Sequence, residues 1–261
     1  MSGKRARERR RLGQDRRAVS RPVVPLRING PVSEISAETV AHYETVRDSI
    51  DETLLGRDGL LRILPVEIYA SWRHELLRLW MHELGYFVLP TKELVDWFKN
   101  EIGSRSALEI CAGSGVLGRA LGVRSIDARV HKQPLVRAHY AALGQPAPCI
   151  GQHVEELEAL AAVEKYSPQV VFGTYVTERL RPGDPPTKAA SAWGVDEFAI
   201  LRRVETYIVV GSEAVHGDKR IKRLAHQGVK PPGVISRAVP GTEVAYIWNT
   251  ASVTQQTGEM P

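Results

Sequence analysis

The sequence has few cysteines and no long apolar run, and both absences narrow the class of protein. The two cysteines, Cys111 and Cys149, are too few for a disulfide framework, and neither belongs to the C-x-x-C pair of a zinc site. No apolar stretch approaches the roughly 20 residues that a membrane-spanning helix needs. The content of 43% hydrophobic and 25% charged residues is typical of a soluble globular protein. We therefore expect a protein of the reducing cytoplasm, without a metal site and without membrane contact.

The positive charge of the chain is concentrated at its amino terminus. Residues 1–21 hold nine Lys/Arg and two acids, a net charge of +7, whereas the remaining residues hold 26 basic and 28 acidic side chains, a net charge of −2. This stretch has no apolar h-region and almost no apolar face, so we expect neither a secretory signal nor a transit peptide. A disordered, solvated tail and an arm that binds nucleic acid both agree with this charge, and a membrane surface is disfavoured because no hydrophobic anchor accompanies it. The arginines that would contact nucleic acid are Arg5, Arg9, Arg10, Arg11, Arg16 and Arg17.

Three helices are predicted between a proline-rich linker, RPVVPLRINGPVS, and the first strand. The first has an apolar face from Val40 to Leu54 and a stop at Gly56. The second covers EIYASWRHELLRLWMHELG, with Ile68 and Trp72 among its inward residues, and the third is TKELVDWFKNEIG, between a Thr91 cap and Gly103. We therefore divide the chain into a tail and linker (1–29), a helical extension (30–104) and an α/β domain (105–261).

From residue 105 onward, short apolar strands alternate with helical segments. Five strands are predicted in SALEIC, RSID, APCI, PQVVFGTYV and TYIVVG, and two more in GVISRAVPGTEVAYIWN, joined by a turn at Pro240-Gly241. This alternation predicts the α/β class, with a doubly wound, mostly parallel, seven-stranded sheet. Ligands of such sheets bind beyond the carboxyl ends of the strands. One crevice should therefore be lined by the glycine turn, Asp127, Gln152, His153, Thr174, Tyr175 and the segment after Gly211.

A glycine-rich turn follows the first predicted strand, in ALEICAGSGVLGRALG. Gly113, Gly115 and Gly118 have the G-x-G-x-x-G spacing of a nucleotide cradle, which is weak evidence by itself. A P-loop is excluded because no G-K-[ST] follows the glycines. NAD would need an acidic residue about 20 residues further on, but the candidate, Asp127, lies only 14 residues after Gly113.

S-adenosylmethionine (SAM) accounts for one more residue of this segment than NAD does. Glu109 ends the strand before the turn, where a carboxylate can face the cationic amino-acid end of SAM. Gly113 and Gly115 lack a Cβ and would let the backbone approach the ligand, while Asp127 would accept hydrogen bonds from the ribose hydroxyls. Two acids on adjacent strand ends suit a cation that carries a diol.

The segment E-I-C-A-G-S-G-V-L-G resembles the first motif of the class I (Rossmann-like) SAM-dependent methyltransferases, and the strand pattern of residues 105–249 is similar to that family. The C-A-G-S-G form resembles versions in enzymes that methylate DNA or RNA. LPTKELVDWF and VVFGTYVTERL look like segments of uncharacterised methyltransferase-like proteins of phages and bacteria. Cys111 stands where the family usually has its first glycine, as in some nucleic-acid methyltransferases. The resemblance implies SAM as cofactor, and the predicted binding residues are Glu109, Cys111, Ala112, Gly113, Gly115, Asp127, Gln152, His153 and Gly173.

The end of the fourth strand is where this family places residues that face the methyl acceptor. Amino-methyltransferases of bases have an acid, asparagine or serine there, followed by two prolines and an aromatic residue, whereas this chain has Gly173-Thr174-Tyr175-Val176. Tyr175 is a candidate to stack on a planar acceptor and Thr174 to offer a hydrogen bond, with strand-end packing as the alternative. The missing prolines argue against base N-methylation, and the missing cysteine argues against the covalent mechanism of cytosine-C5 enzymes. Asp184-Pro185-Pro186 lies in a long loop, RLRPGDPPTKAASAWG, that we interpret as a lid.

After the fifth strand, His216 in GSEAVHGDK is a candidate general base near neutral pH, and a solvated loop histidine is the alternative. His74 and His82 lie eight residues apart rather than the four of a zinc-binding H-E-x-x-H, so we assign them to a helix surface. The aromatic run from Trp72 to Phe98 is interpreted as core packing.

These residues together predict a SAM-dependent methyltransferase that acts on a nucleic acid. Methylation of a small molecule or a protein is the alternative enzyme function. A non-catalytic protein that binds SAM, a nucleic acid or an assembly partner is the alternative outside enzymes, and a protein partner or a homo-oligomer stays open.

Overall fold

A computed structural model describes residues 35–142, 145–185 and 187–251. The arginines of the tail, the linker and Pro186 lie outside the described residues. The helices are α1 (Ala37–Leu54), α2 (Val66–Ala70), α3 (His74–Leu84), α4 (Lys92–Ile102), α5 (Val116–Leu121), α6 (Pro134–Ala142), α7 (Ala159–Tyr166), α8 (Glu197–Leu201) and α9 (Glu213–His216). The strands are β1 (Val88–Leu89), β2 (Ala107–Glu109), β3 (Arg124–Asp127), β4 (Glu155–Glu156), β5 (Val170–Thr174), β6 (Glu178–Arg179), β7 (Ala190–Ser191), β8 (Thr206–Ser212), β9 (Gln227–Val229), β10 (Ile235–Ser236) and β11 (Glu243–Asn249).

The central sheet has the strand order β4-β3-β2-β5-β8-β11-β9. Strands β2, β3, β4, β5 and β8 are parallel to their neighbours in this group, whereas β11 runs antiparallel to both β8 and β9. The predicted fold class, a doubly wound and mostly parallel seven-stranded sheet, is therefore confirmed. This is the Rossmann-like arrangement that the resemblance implies.

Helices cover both faces of this sheet. On one face, α7 and α8 pack against residues that include Val171 and Val209; on the other, α4 and α5 pack against Phe172 and Ile208. Neighbouring residues of a strand point to opposite faces, so a strand that is covered on both sides needs apolar residues at consecutive positions. Strand β8 fits this rule, since all of its residues are buried.

Helices α1, α2 and α3 form a separate apolar cluster beside the sheet. Ile50, Leu76 and Met81 belong to its buried part, and the Trp80 ring stacks on the Tyr86 ring with centroids 5.8 Å apart. The cluster agrees with a helical layer before the first strand of the sheet, while the exact division of the chain into domains stays a prediction. Among the described residues, no helix is long and apolar enough to cross a bilayer.

Helix α4 has the boundaries that its sequence predicts. The Thr91 hydroxyl accepts a hydrogen bond from the Leu94 amide at 3.1 Å, and the helix ends at Gly103, whose φ is 61°. The same hydroxyl donates to the Gly233 carbonyl oxygen at 2.9 Å. The cap therefore also ties α4 to the carboxyl-terminal segment.

The third strand of the sheet is not the predicted one. APCI, residues 147–150, is irregular and crosses the glycine turn, where the Gly151 amide donates to the Gly113 carbonyl oxygen at 3.1 Å. The strand is instead Glu155–Glu156, which the sequence pattern assigns to a helix. A short, charged strand is typical of a sheet edge, and this one carries too few apolar residues to show in the sequence.

Two further element predictions are wrong. The second predicted helix is divided into α2 and α3 at Ser71–Arg73, and Ile68 is consequently 40% exposed rather than inward. The two strands around Pro240-Gly241 exist but do not pair with each other. Strand β10 pairs with β1, whereas β11 pairs with β8 and with β9, a strand that the sequence pattern does not reveal.

Candidate functional site

A cavity of about 360 Å³ lies at the carboxyl ends of β2, β3 and β5. Its size falls in the range of small-molecule sites, about 300–1,000 Å³. The glycine turn, Asp127 and Tyr175 contribute to one wall, and His82 and Phe87 of the amino-terminal part contribute to another. The prediction that strand-end residues share one crevice thus holds for much of the predicted set.

The backbone of the glycine turn adopts left-handed conformations at several positions. Gly113 and Gly115 have φ values of 52° and 66°, which glycine adopts without cost. Cys111 has a φ of 52° although it carries a Cβ, and this conformation costs roughly 1–2 kcal/mol. The turn thus keeps its left-handed conformation even at Cys111, which carries a side chain.

Left-handed non-glycine residues are concentrated around this cavity. The described residues contain four of them, and three, Cys111, Arg129 and Tyr175, come one or two positions after the ends of β2, β3 and β5. The fourth, Ser167, is the C-cap of α7. Strained backbone persists where surrounding structure enforces it, and it is concentrated at functional sites. The distribution therefore marks this edge of the sheet.

Glu109 is almost fully buried and holds the turn in place. Its Oε2 accepts hydrogen bonds from the Gly118 amide at 3.0 Å and from the Ser125 hydroxyl at 2.6 Å. A Cβ on Gly118 would collide with the Ser125 hydroxyl, so glycine is needed for this close approach. Burial raises the pKa of Glu109 to about 7. Glu109 borders the cavity, and its contact with a ligand stays a prediction.

Asp127 ends β3 and is half-buried in the cavity wall. Its Oδ2 accepts a hydrogen bond from the Gly113 amide at 3.1 Å, and its Oδ1 accepts one from the Arg129 amide at 2.7 Å. A carboxylate has about four acceptor positions, so each oxygen can accept a further hydrogen bond. Asp127 is therefore fixed against the turn and still able to accept from ligand hydroxyls.

Cys111, Ala112 and Gly113 also line the cavity, but four predicted cofactor residues do not. His153 lies outside, with its Nε2 3.0 Å from the Gly115 carbonyl oxygen. A Cβ on Gly115 would contact this imidazole, so the two residues pack closely. Gly173 is buried beneath Ile110 and Val176. The residues that lie outside the cavity wall are Gly115, Gln152, His153 and Gly173.

All three predicted catalytic residues, Thr174, Tyr175 and His216, lie in the cavity wall. The Tyr175 ring is 5.1 Å from the His216 ring and 6.2 Å from the Phe87 ring, measured between centroids. In the part of the chain that the structure describes, the buried Tyr175 hydroxyl makes no hydrogen bond of normal geometry, and the Ser236 hydroxyl is a polar neighbour. Burial raises the pKa of this phenol.

His216 differs from both sequence interpretations. It is 1% exposed at the end of α9, so it is not a solvated loop histidine. The Ser212 amide donates to its Nδ1 at 3.1 Å, and burial, together with the charge of Lys219, lowers its pKa to about 3. A group with this pKa is a weak base, which argues against His216 as a general base near neutral pH.

The sequence interpretation missed residues that the β1–β10 pairing brings to the cavity. Arg237 follows β10 and is 6% exposed, with its guanidinium 3.9 Å above the centroid of the Phe87 ring. His82, assigned to a helix surface, lines the cavity, and His74 Nε2 lies 3.1 Å from the Ser236 carbonyl oxygen. Trp80 and Phe98 are buried, as the core-packing interpretation of the aromatic run predicts. Phe87 is an exception, because it lines the cavity.

The loop RLRPGDPPTKAASAWG borders the cavity through residues 188–191, Trp193 and Gly194. Strand β6 pairs with β7 at its base, and the Trp193 ring lies 6.2 Å from the His139 ring. Its motion as a lid stays a prediction. Among the described residues, no group of three or more His, Cys, Asp or Glu side chains is placed to hold a metal ion.

Comparison with known proteins gives similarity at the level of the fold. No protein-family model matches the sequence, and no curated relative matches it. A SAM-dependent methyltransferase from Agrobacterium tumefaciens is 10% identical, with 60% of each chain covered and a TM-score of 0.31. The 23S rRNA methyltransferase ErmE is 17% identical over 60% of this chain and 66% of its own, with a TM-score of 0.31. An rRNA methylase from Streptococcus thermophilus is 12% identical over 60% of this chain and 93% of its own, with a TM-score of 0.32.

The chain thus spans 60% and 66% of the length of the first two of these structures. Likeness of this degree concerns the fold alone and does not bear on substrate or partner.

Proposed function

We propose that this chain is a SAM-dependent methyltransferase. The observation that carries the proposal is the position of Asp127, which hydrogen-bonds to the glycine turn and faces a small-molecule cavity. The sheet supports SAM over NAD. Dinucleotide-binding domains have six parallel strands, whereas here the antiparallel β11 lies between β8 and β9.

The donor and acceptor groups of the cavity fit SAM. Asp127 would accept hydrogen bonds from the ribose hydroxyls, and the turn at Cys111–Gly113 would pack against the amino-acid end. Asp127 and Glu158 are acidic groups in the cavity wall, alongside the cations Lys188 and Arg237, and the charge of the two acids suits the sulfonium and ammonium groups of SAM. When bound, SAM supplies an electrophilic methyl group.

The chain itself would supply alignment of the methyl acceptor. Methyl transfer needs the nucleophile about 3–3.5 Å from the methyl carbon. Tyr175 and Phe87 present neighbouring aromatic rings in the cavity wall, a surface on which a planar acceptor can stack. The strained backbone of Tyr175 holds its ring at the strand end, so the ring is positioned before an acceptor binds.

A nucleic acid is the proposed acceptor. The support is the charge distribution, in which residues 1–21 have a net charge of +7 while the remaining chain has −2. Such a basic segment attracts phosphate backbones without requiring a basic folded body. The aromatic rings of Tyr175 and Phe87 could contact a base of such a nucleic acid.

Calorimetric titration tests the cofactor. We expect the purified protein to bind SAM saturably and to be silent with NAD. Asp127→Asn should weaken SAM binding about tenfold or more, since hydrogen bonds to a charged group contribute about 1.5–3 kcal/mol. Asp96→Asn, at an exposed acid paired with Lys99 on α4, is the matched control and should leave affinity unchanged.

A native protein that does not bind SAM would contradict the proposal. Transfer of a labelled methyl group to total RNA or to DNA then tests the acceptor. If SAM binds but no methyl group is transferred to RNA or DNA, the non-catalytic SAM-binding alternative is favoured. Transfer to a protein or a small molecule would mean that the acceptor is not a nucleic acid.

A further inference from the structure

Arg237 is a buried cation without an anionic partner. It is 6% exposed and lines the cavity. Across residues 35–142, 145–185 and 187–251, no acceptor forms a hydrogen bond or ion pair with its guanidinium, which stacks on the Phe87 ring. Two other cations show the contrast. Lys219 lies 2.7 Å from a Glu197 oxygen, and Arg220 lies 3.1 Å from a Glu178 oxygen.

Burial of an unpaired charge is unfavourable, so residues like Arg237 are uncommon without a ligand. Burial lowers the pKa of Arg237 to about 10, which reflects this desolvation. A guanidinium remains charged even so at neutral pH. The side chain therefore brings a permanent positive charge to a cavity wall that also holds Lys188, the acids Asp127 and Glu158, and several aromatic rings.

Two further polar groups of the cavity lack partners among the described residues, His82 Nε2 and the Tyr175 hydroxyl. Both lie near Arg237: burial and, to a smaller extent, the charge of Arg237 lower the pKa of His82 to about 4, while burial raises the pKa of Tyr175 and the charge of Arg237 opposes that rise. Among the described residues the nearby acid Glu243 forms no ion pair with Arg237, and its carboxylate accepts hydrogen bonds from the Ser236 hydroxyl at 3.0 Å and from the Gly241 amide at 2.8 Å. Arg237, His82 and Tyr175 thus form a cluster of polar groups that no carboxylate of the described residues pairs with.

We propose that Arg237, together with Tyr175 and His82, binds a phosphate group of the methyl acceptor. This inference rests on the proposed function and specifies the acceptor. Arg237 lies beside Phe87 and near Tyr175, the residue that follows β5. The residues proposed for SAM instead follow β2 and β3, so the two groups occupy different parts of the cavity wall. The planar guanidinium matches two phosphate oxygens at once, and Tyr175 and His82 can donate to the others.

The test is calorimetric titration with inorganic phosphate, with acetate as a second probe, in the presence of saturating S-adenosylhomocysteine. We expect the native protein to bind phosphate more tightly than acetate. Arg237→Met should weaken phosphate binding at least tenfold, and Arg237→Lys should weaken it less because the charge remains. Arg119→Met is the matched control, since this exposed arginine pairs with Asp58 outside the cavity wall, and it should bind phosphate as the native protein does.

Thermal unfolding separates a binding role from a structural one. Arg237→Met removes an uncompensated buried charge, so its midpoint temperature should rise in the absence of anions and should no longer increase with phosphate. A lower midpoint would indicate a structural arginine and would overturn the inference. Equal phosphate binding by the native protein and the Met variant, or acetate binding as tight as phosphate binding, would also overturn it.

A third experiment tests whether Arg237 binds a phosphate of the acceptor or the carboxylate of the cofactor. 5′-Methylthioadenosine lacks the amino-acid end of SAM and therefore its carboxylate. If Arg237→Met weakens S-adenosylhomocysteine but not methylthioadenosine, the arginine binds the cofactor carboxylate and the inference is wrong. If the native protein binds neither nucleoside, the proposed function fails, and the phosphate titration still reports whether the anion site exists.

Discussion

At the scale of single residues, Glu109 should make stability depend on pH. Burial raises its pKa from 4.5 to about 7 in the folded state. Because the raised value favours the protonated form, the stabilisation is complete below the unfolded pKa and is lost as the pH rises through about 7. Glu109→Gln stays neutral at every pH. The free energy of unfolding of the variant minus that of the native protein should therefore increase by about 3 kcal/mol between pH 4.5 and pH 8.

Urea unfolding at several pH values measures this difference. Glu156→Gln is the control, because hydrogen bonding to Lys132 lowers the pKa of that exposed carboxyl. For this variant, the free energy of unfolding minus that of the native protein should decrease as the pH rises. A flat difference for Glu109→Gln from pH 4.5 to pH 8 would mean that the buried carboxyl titrates normally.

Single residues also show what the sequence predicts and what it cannot. Asp127 and the glycine turn were predicted to meet because parallel strand ends share an edge, and they hydrogen-bond directly. Arg237 and Phe87 lie 150 positions apart in the sequence and meet through the two-residue pairing of β1 with β10. No local period or spacing reports such a contact, so Arg237 was missed as a residue of the site.

At the scale of elements, one buried ion pair joins several segments of the sheet edge. Lys219 Nζ lies 2.7 Å from Glu197 Oε1 in α8 and donates to the Val176 carbonyl oxygen, after β5, at 2.9 Å. The Tyr207 hydroxyl, in β8, donates to the same Glu197 oxygen at 2.8 Å. Lys219→Met would leave the buried Glu197 carboxyl without its cation. We expect a loss of about 3–5 kcal/mol in the free energy of unfolding.

A double-mutant cycle by urea unfolding checks this expectation. Lys219→Met combined with Glu197→Gln should recover part of the loss, because the remaining group is neutral. Arg47→Met, at a partly exposed pair with Glu83, is the control and should change stability by less than about 1 kcal/mol. Strictly additive single effects at Lys219 and Glu197 would show that the two side chains are not coupled.

Elements were predictable where their residues determine them locally. The Thr91 cap and Gly103 stop define α4, and continuous apolar runs define β5 and β8 because both faces of these strands are covered. The edge strand Glu155–Glu156 has no apolar pattern, and Lys132 and Lys165 pair with its acids at the surface. APCI is apolar because Cys149 packs against the helical layer, which a sequence pattern does not distinguish from a strand.

At the scale of the whole molecule, charge is divided between the amino terminus and the body. Removal of residues 1–21 changes the net charge of the chain from +5 to −2. If these residues bind nucleic acid, the logarithm of the association constant should fall steeply with the logarithm of salt concentration for the full chain. Each cation that neutralises a phosphate of single-stranded RNA contributes about 0.7 to this slope, so truncation should make the slope shallower by roughly 3–6.

Fluorescence anisotropy with a labelled single-stranded RNA measures both slopes. The salt concentration is varied from about 50 to about 200 mM, a range over which phosphate contacts make the affinity strongly salt-dependent. The affinity for SAM, titrated in parallel, should be the same for both chains because the cavity is built from residues 82–238. Equal RNA affinity and equal slopes would place nucleic-acid recognition in the folded body or exclude it. A shallower slope with unchanged SAM affinity would mean that the chain separates its two tasks, with general attraction of phosphate by the basic segment and placement of the acceptor by the cavity.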